Sequence, residues 1–183
     1  MNTALVLIDI QKDYFPGGTM ELSGAEAAVA KAARVLGWFR EKGWPVVHVR
    51  HLAAQPDATF FIPGTAGADF HSYVMPQGNE TVIEKHFPNS FRETPLKSML
   101  EQAKVTKLVI AGSMTHMCVD ATTRAAFDLG FQCVVLADAC ATRDLAFGHV
   151  TVPAAHVQAA FLAALGAVYA QVTGVKDMAA DLR

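Results

Sequence analysis

The sequence predicts a three-layer α/β fold in which helices cover both faces of a parallel β-sheet. Apolar runs at residues 4–8, 108–111 and 134–137 are short, rich in β-branched residues and without the alternation of half-buried strands. Such runs are typical of strands that are buried on both faces of a sheet. Amphipathic helical segments lie between the runs, and this alternation of strands with helices indicates a parallel sheet.

Three weaker runs complete a set of six predicted strands, at residues 46–49, 82–83 and 168–172. The first helix is predicted to begin at Ser23, because Glu26 stands three residues later and completes a capping box. The last helix is predicted to end at Gly166, because glycine is the most frequent residue just beyond a helix C-terminus.

Composition bounds the classes of protein to consider. The 183 residues are 52% hydrophobic and 17% charged, which excludes a disordered chain and predicts one domain over residues 1–183. A net charge of -2 argues against a nucleic-acid or membrane-surface partner. No apolar run is long enough to span a bilayer, and the first apolar run does not resemble a signal peptide. Three cysteines are too few and too irregular for a disulfide framework, so we expect a cytoplasmic setting.

A long irregular stretch separates the second and third predicted strands. Residues 51–80 have little periodicity and several prolines and glycines. Long loops inside compact domains usually carry function, so we expect this loop to set substrate specificity.

The histidines do not predict a metal site. His48 and His51 lie three residues apart on a predicted strand, so their side chains point to opposite faces. Loop residues Asp57, Asp69 and His71 lack a regular ligand spacing, and no glycine motif for binding phosphate is present. We therefore predict neither a metal nor a cofactor.

Three reactive side chains from distant parts of the sequence are predicted to meet at one rim. Asp9 ends the first strand, Lys85 follows the run at 82–83, and Cys118 begins the helix after the strand at 108–111. Ligands of open parallel sheets bind outside the carboxyl ends of the strands, where all three would lie.

This set of residues suits nucleophilic catalysis. A helix N-terminus and a nearby Lys85 ammonium both stabilise a thiolate, which is the reactive form of Cys118. Asp9 could accept the thiol proton and later return it to a leaving amine. Each residue also has a structural explanation: Cys118 as a small buried hydrophobe, Asp9 as a loop cap or partner of Lys85, and Lys85 as a surface lysine.

Six segments, in order, resemble the isochorismatase-like cysteine hydrolases. Residues 9–14, Asp-Ile-Gln-Lys-Asp-Tyr, are similar to the Asp-x-Gln-x-x-aromatic opening of that family, and residues 112–119 contain the segment with the cysteine. The other four segments are residues 61–65, 82–85, 89–91 and 138–142. The resemblance extends over nearly the whole chain, and its motifs are specific in combination.

The resemblance implies a Rossmann-like fold whose six-stranded sheet has the order 3-2-1-4-5-6, and a catalytic triad of Asp9, Lys85 and Cys118. In that order Lys85 leaves an edge strand, roughly 10 Å from the strand of Asp9, so its side chain must lean inward. The resemblance also implies a non-proline cis peptide, expected between Met114 and Thr115, which would direct the Thr115 N–H at an oxyanion. Four further side chains are predicted to shape the substrate pocket: Tyr14, Phe15, Phe87 and His116.

The same resemblance narrows the reaction. Relatives that cleave the vinyl ether of isochorismate typically lack the cysteine, so Cys118 favours hydrolysis of an amide or related C–N bond through a thioester. Residues 115–120 are most similar to the branch that includes streptothricin hydrolase, and the metal set of the nicotinamidases is not matched. The family implies a small-molecule substrate and a homo-oligomer, either a dimer or a tetramer.

Two other functions stay open from the sequence. One is an isochorismate-type ether hydrolase, against which the presence of Cys118 argues. The other is a non-catalytic binding or redox-sensing protein, since a reactive cysteine on an exposed rim would serve a sensor. The presence of both Asp9 and Lys85 favours hydrolysis.

Overall fold

The computed structural model describes residues 2–78 and 80–181. Eight strands lie within these ranges: β1 (Thr3–Ile8), β2 (Val46–His51), β3 (Thr81–Lys85), β4 (Lys107–Ser113), β5 (Gln132–Ala141), β6 (Leu145–Phe147), β7 (Val150–Val152) and β8 (Gln171–Thr173). Six of them form a parallel sheet in the order β3-β2-β1-β4-β5-β8. Strands β6 and β7 form a separate antiparallel hairpin, so the predicted sixth strand carries the label β8 and the predicted order is confirmed.

Helices cover both faces of the sheet, as predicted. Their bounds are α1 (Ala25–Glu41), α2 (Leu96–Gln102), α3 (Asp120–Asp128), α4 (Ala154–Val168) and α5 (Val175–Asp181). Buried residues of α1 and α5 pack in one apolar cluster, and those of α2, α3 and α4 pack in another on the opposite face. No helix within the described ranges is long and apolar enough to cross a membrane.

Strand β1 shows why the apolar runs do not alternate. Leu5 and Leu7 pack into the cluster under α1, whereas Val6 and Ile8 pack into the cluster on the other face. All four residues are at most 2% exposed. A central strand of a parallel sheet has no solvent face, so both of its side-chain rows must be apolar.

The predicted capping box at the first helix is wrong. Helix α1 begins at Ala25 after Gly24, which has a φ of 74° and offers no side-chain cap. The backbone N–H of Ser23 instead donates to the carbonyl of Thr142, in an isolated bridge to the end of β5. The chain therefore needs a left-handed glycine to turn from this bridge into the helix.

The predicted end of helix α4, at Gly166, is also wrong. Helix α4 continues through Gly166 to Val168, and the backbone N–H groups of Tyr169 and Ala170 both donate to Leu165. A glycine inside a helix costs only about 1 kcal/mol, which a well-packed helix tolerates. The strand predicted at 168–172 consequently begins later, at Gln171.

The loop between β2 and β3 is packed against the domain. It contains two short 3₁₀ turns, Ala66–Ala68 and Ser72–Val74. Phe61 is 1% exposed and Val74 is fully buried, so both belong to the core under α1. The loop therefore presents fixed side chains to the carboxyl ends of the strands.

A partly buried ion cluster joins this loop to α1 and β2. Arg40 donates to both carboxylate oxygens of Glu80, at 2.7 and 2.8 Å, and Nε2 of His48 lies 2.9 Å from the same carboxylate. The side chain of Glu80 is 13% exposed. Hydrogen bonds from Arg40 lower the pKa of Glu80 to about 2, against the effect of burial.

We predict that Glu80→Gln reduces the free energy of unfolding by about 2 kcal/mol at neutral pH, because a charge-assisted pair is lost. The pKa of Glu80 is lower in the folded state than in the unfolded state. Its contribution is therefore complete above about pH 5 and falls as the pH approaches 2. Urea unfolding at several pH values should show the difference between wild type and variant narrowing below about pH 4.

The matched control is Glu84→Gln, which breaks the exposed pair of Glu84 with Arg50. That variant should lose less than about 0.5 kcal/mol, since solvent screens the pair. A similar loss in both variants at all pH values would contradict the role of the partly buried cluster.

Candidate active site

Asp9 stands where β1 leaves the sheet. Its backbone N–H donates to Val49 of β2, its φ is 50°, and its side chain is fully buried. Aspartate tolerates this left-handed conformation better than most residues, yet such a geometry is uncommon and often marks a functional position. The turn ends the strand and leaves the carboxylate at its carboxyl end.

Lys85 is the last residue of edge strand β3, where it pairs with His51 of β2. Its side chain is buried, and Nζ lies 2.7 Å from Oδ2 of Asp9. The same nitrogen lies 3.2 Å from Sγ of Cys118 and 3.0 Å from Nδ1 of His51. The lysine leans inward over β2 and reaches the end of β1, as the strand order requires.

Cys118 lies in a π-helical turn, Thr115–Val119, between β4 and α3. Its side chain is 5% exposed. Strand β4 comes very close to β1 just before this turn, because a Cβ on Gly112 would lie 2.0 Å from the carbonyl oxygen of Ile8. Gly112 also has a φ of 135°, so only glycine fits there, and π-turns of this kind are frequent at functional sites.

The position predicted for the cis peptide is wrong by one residue. The cis bond joins Ser113 to Met114, and not Met114 to Thr115. Neither bond involves proline, so no local steric preference in the sequence distinguishes the two. Thr115 is fully buried, and its hydroxyl donates to the carbonyl of Ala141 on β5.

Electrostatics favour a neutral thiol in the resting site. Burial, followed by the charge of Asp9, raises the pKa of the Cys118 thiol, and the Lys85 ammonium only partly opposes this rise. Burial alone would lower the pKa of Lys85, but Asp9 and Cys118 together raise it. The sequence predicted that the helix N-terminus and Lys85 stabilise a thiolate, and in the structure the rise of the thiol pKa by burial and by Asp9 opposes that stabilisation.

The Asp9 carboxylate has capacity left to accept a proton. Oδ2 faces Lys85, while Oδ1 has no hydrogen-bond partner among the residues that the structure describes. Asp9, His51 and Cys118 each place one ligand-type atom within 4.8 Å of the others. The sulfur and a carboxylate oxygen therefore belong to one small cluster around the Lys85 ammonium.

The four predicted pocket residues are not equally close to this centre. Tyr14 is buried against Phe61, and its pKa is raised by burial and then by the charge of Asp9. His116 lies two residues before the cysteine, and its Nδ1 is 2.6 Å from Oγ1 of Thr142. That either side chain contacts substrate stays a prediction.

Phe15 and Phe87 face other surroundings. The ring of Phe15 packs 4.1 Å from that of His71 and lines a cavity of about 610 Å³ whose lining includes none of the triad residues. The guanidinium of Arg92 lies 3.5 Å above the ring of Phe87. Whether either ring contacts substrate stays a prediction.

Sequence reasoning missed His51 and Gln11. The predicted opposite orientation of His48 and His51 is consistent with their contacts, since His48 faces Glu80 and His51 faces Lys85. From the sequence, we considered His48 and His51 only as a pair of metal ligands. The position of His51 at the end of a predicted strand, beside the strand that ends at Asp9, could have identified it as a residue of the site.

Asp9, His51 and Cys118 are also the one group in the described ranges able to hold a metal ion. Nζ of Lys85 lies 2.7 Å from the carboxylate, 3.0 Å from the imidazole and 3.2 Å from the sulfur. An ammonium therefore occupies the position that a metal ion would need.

Comparisons with known proteins show which family the chain belongs to. Residues 3–175 match the isochorismatase domain. The chain belongs to the isochorismatase family. The family protein YddQ of Bacillus subtilis is 50% identical over 94% of this chain and 96% of its own length. The crystal structure of an isochorismatase hydrolase from Oleispira antarctica has a TM-score of 0.94 and 52% identity, and it covers 98% of this chain and 96% of its own.

Two relatives carry names that state a reaction. Streptothricin hydrolase of Streptomyces noursei is 38% identical over 78% of this chain and 50% of its own length. Maleamate amidohydrolase of Pseudomonas putida is 30% identical over 76% of this chain and 72% of its own length. The isochorismatase-family chain is therefore a hydrolase, as the sequence predicted.

We predict that Asp9→Asn accelerates alkylation of Cys118 by iodoacetamide and that Lys85→Met slows it. Asp9 raises the pKa of the thiol and Lys85 lowers it, so the two changes move the thiolate fraction in opposite directions. A change of about one pKa unit alters the rate about tenfold at mildly alkaline pH.

The rate at each cysteine is measured by mass spectrometry of peptides after timed labelling. Cys133 and Cys140, which are also buried, serve as internal controls and should label equally in all variants. Rates at Cys118 that change in the same direction in both variants would contradict this electrostatic account.

Proposed function

We propose that this protein is a cysteine amidohydrolase that cleaves a C–N bond of a small molecule through a thioester on Cys118. The observation that carries the proposal is the buried contact of the Lys85 ammonium with both the Asp9 carboxylate and the Cys118 sulfur, at 2.7 and 3.2 Å. In this arrangement Asp9 is the general acid and base, and Lys85 stabilises the negative charge that forms.

The acylation step follows from these positions. As the sulfur of Cys118 bonds to the substrate carbonyl carbon, its proton passes to Asp9 and the carbonyl π electrons move to oxygen. In the proposal, the backbone N–H groups of Thr115 and Cys118 stabilise this oxyanion. When the C–N bond breaks, Asp9 returns the proton to nitrogen, so that a neutral amine or ammonia leaves and the thioester remains.

Deacylation uses the same residues in reverse. A water molecule bonds to the thioester carbon while Asp9 accepts one of its protons. The C–S bond then breaks, and Asp9 returns the proton to the sulfur. The products are the carboxylic acid and the resting thiol, with no other reactant consumed.

The resting protonation state supports assisted attack more than redox sensing. A sensor cysteine is exposed and has a low pKa, whereas Cys118 is 5% exposed and burial raises its pKa. Such a thiol needs a base beside it, and Asp9 is in position to be that base. The presence of Cys118 argues likewise against an ether hydrolase, because vinyl-ether cleavage does not need a nucleophilic sulfur.

Similarity to named amidohydrolases supports the choice of bond. Maleamate amidohydrolase hydrolyses an amide by its name, and streptothricin hydrolase belongs to the branch that the segment at 115–120 resembles. Tyr14, which interacts electrostatically with Asp9, and His116, two residues before the sulfur in the chain, are proposed pocket residues. The proposal includes neither a metal nor a cofactor, because the ammonium occupies the centre of the one metal-type group described above.

Location and assembly belong to the proposal as well. Cys118, Cys133 and Cys140 are all free thiols, in keeping with a cytoplasmic protein of one domain. We also propose a homo-oligomer, either a dimer or a tetramer. Helix α4 supports it, because the segment Ala154–Val168 contains no Asp, Glu, Lys or Arg and has exposed alanines at 155, 159 and 163. Helices that are apolar all around are usually buried.

We predict that light scattering gives the mass of a dimer or tetramer for the wild type. Ala163→Glu should shift the mass toward that of the 19.6 kDa monomer, since it places a charge in the proposed apolar contact. The control is Ala27→Glu, at an exposed position of α1. A monomeric wild type would contradict the proposal.

We predict that intact-protein mass spectrometry detects an acyl adduct on Cys118 during turnover of an amide. The panel contains nicotinamide, lactams, carbamoyl amines and monoamides of dicarboxylic acids, and the released amine is measured in parallel. Cys118→Ala should keep the fold, form no adduct and retain less than about a tenth of the turnover, since the nucleophile is gone.

The outcomes separate the candidate functions. An acyl mass on the wild type alone supports the thioester and identifies the acyl group. Adduct-free cleavage of isochorismate would indicate the ether hydrolase, and rapid peroxide oxidation without amine release would indicate a sensor. Each reaction is repeated with EDTA, and a loss of turnover that zinc restores would contradict the metal-free mechanism.

A further inference from the structure

The mechanism above uses two of the three close contacts of the Lys85 ammonium. The third is Nδ1 of His51, at 3.0 Å from Nζ. An ammonium has three N–H donors and no acceptor, so Nδ1 must accept this hydrogen bond. His51 is therefore a neutral imidazole with its proton on Nε2. It serves Lys85 as a third acceptor, beside Asp9 and Cys118.

The fold holds His51 firmly in this orientation. The fully buried side chain of Gln11 accepts from the backbone N–H of His51 at 2.7 Å and donates to its carbonyl at 2.9 Å. The same amide group of Gln11 donates to Ala68 at 2.8 Å, which fixes the 52–80 loop to the end of β2. A backbone clamped on both of its polar groups cannot move without losing both bonds.

We propose that His51 is a positioning residue of the reaction, which holds the Lys85 ammonium between Asp9 and Cys118 by accepting a hydrogen bond from its Nζ. The inference rests on the proposed function only in that Lys85 acts on the reacting sulfur. Lys85 extends from an edge strand on a long side chain, and β2 lies between β3 and the strands that precede Asp9 and Cys118. His51 lies at the end of that intervening strand.

The need for this acceptor follows from burial. With His51 absent, one N–H of a buried ammonium would have no partner, and the nitrogen would move to regain one. Such a movement changes the position of the ammonium relative to the carboxylate and the sulfur, because the three groups together fix the nitrogen. Turnover should then fall although Asp9, Lys85 and Cys118 are all present.

The first test compares His51→Leu with His51→Asn, using hydrolysis of p-nitrophenyl acetate, an activated ester that acylates cysteine. Asparagine places its amide oxygen at nearly the same distance from the backbone as Nδ1, whereas leucine offers no acceptor. We expect His51→Leu to lower kcat by about 10- to 100-fold with little change in KM, as removal of a supporting hydrogen bond typically does. His51→Asn should recover most of this loss.

The control is His86→Leu, which removes a neighbouring imidazole whose Nδ1 contacts the carbonyl of Leu52. It should leave kcat unchanged, and thermal unfolding should show all three variants folded. Equal losses in His51→Leu and His51→Asn, or a loss that follows thermal stability, would overturn the proposal.

The second test needs no substrate. Lys85→Ala removes the ammonium and leaves the carboxylate, imidazole and sulfur of Asp9, His51 and Cys118 with atoms within 4.8 Å of one another. These are ligands that divalent transition metals accept. We expect Lys85→Ala to bind one equivalent of Co²⁺ with a thiolate-to-cobalt charge-transfer absorption, which the wild type should lack.

The double variant Lys85→Ala/His51→Leu should bind Co²⁺ at least about tenfold more weakly, since one ligand is gone. Equal binding with and without His51, or no binding by Lys85→Ala, would overturn the three-acceptor arrangement. Because Co²⁺ binding is independent of amide hydrolysis, failure of the amidase proposal with success here would leave the position of His51 established.

Discussion

The site depends on the burial of one ammonium group. A buried cation is costly unless charged or polar partners surround it, and Lys85 has a carboxylate, an imidazole and a sulfur within 3.2 Å. Asp9 and Cys118 follow strands β1 and β4, while His51 and Lys85 end β2 and β3. The strand order β3-β2-β1-β4 places the carboxyl ends of these four strands side by side.

Several local features allow these chain segments to come together. Gly112 lets β4 approach β1, and the left-handed Asp9 ends β1 where the lysine arrives. The carboxylate of Asp13 fixes the 52–80 loop, because it accepts a hydrogen bond from the backbone N–H of Phe61. It also accepts one from the backbone N–H of Thr19. Gly67 is required there as well, since a Cβ would lie 2.1 Å from the Asp13 carboxylate. The segment that contains Asp9 and Asp13 thus contributes a side chain to the candidate site and also fixes the 52–80 loop next to it.

The sequence patterns predicted the features that depend on burial, such as the central strands. They missed the features that depend on individual hydrogen bonds. Unalternating runs such as Leu5 to Ile8 identify central strands, and strand ends identify Asp9, Lys85 and Cys118, because parallel topology collects those ends. The helix boundaries failed where the chain had another use for the residue, as Ser23 shows by bridging to Thr142. His51 was missed because its role is a hydrogen bond across strands, which no spacing within one strand reveals.

Charge conservation explains why a buried thiol can work here. In the resting site the charges of Asp9 and Lys85 cancel, and Cys118 is neutral. Moving the thiol proton to Asp9 leaves a neutral acid, an ammonium and an anionic sulfur or oxyanion, so the total is again zero. In surroundings that exclude water, a net charge is far more costly than a balanced set of positive and negative charges. Burial therefore opposes loss of the Cys118 proton to solvent and raises its pKa, while the proposed transfer of that proton to Asp9 leaves the net charge of the site unchanged.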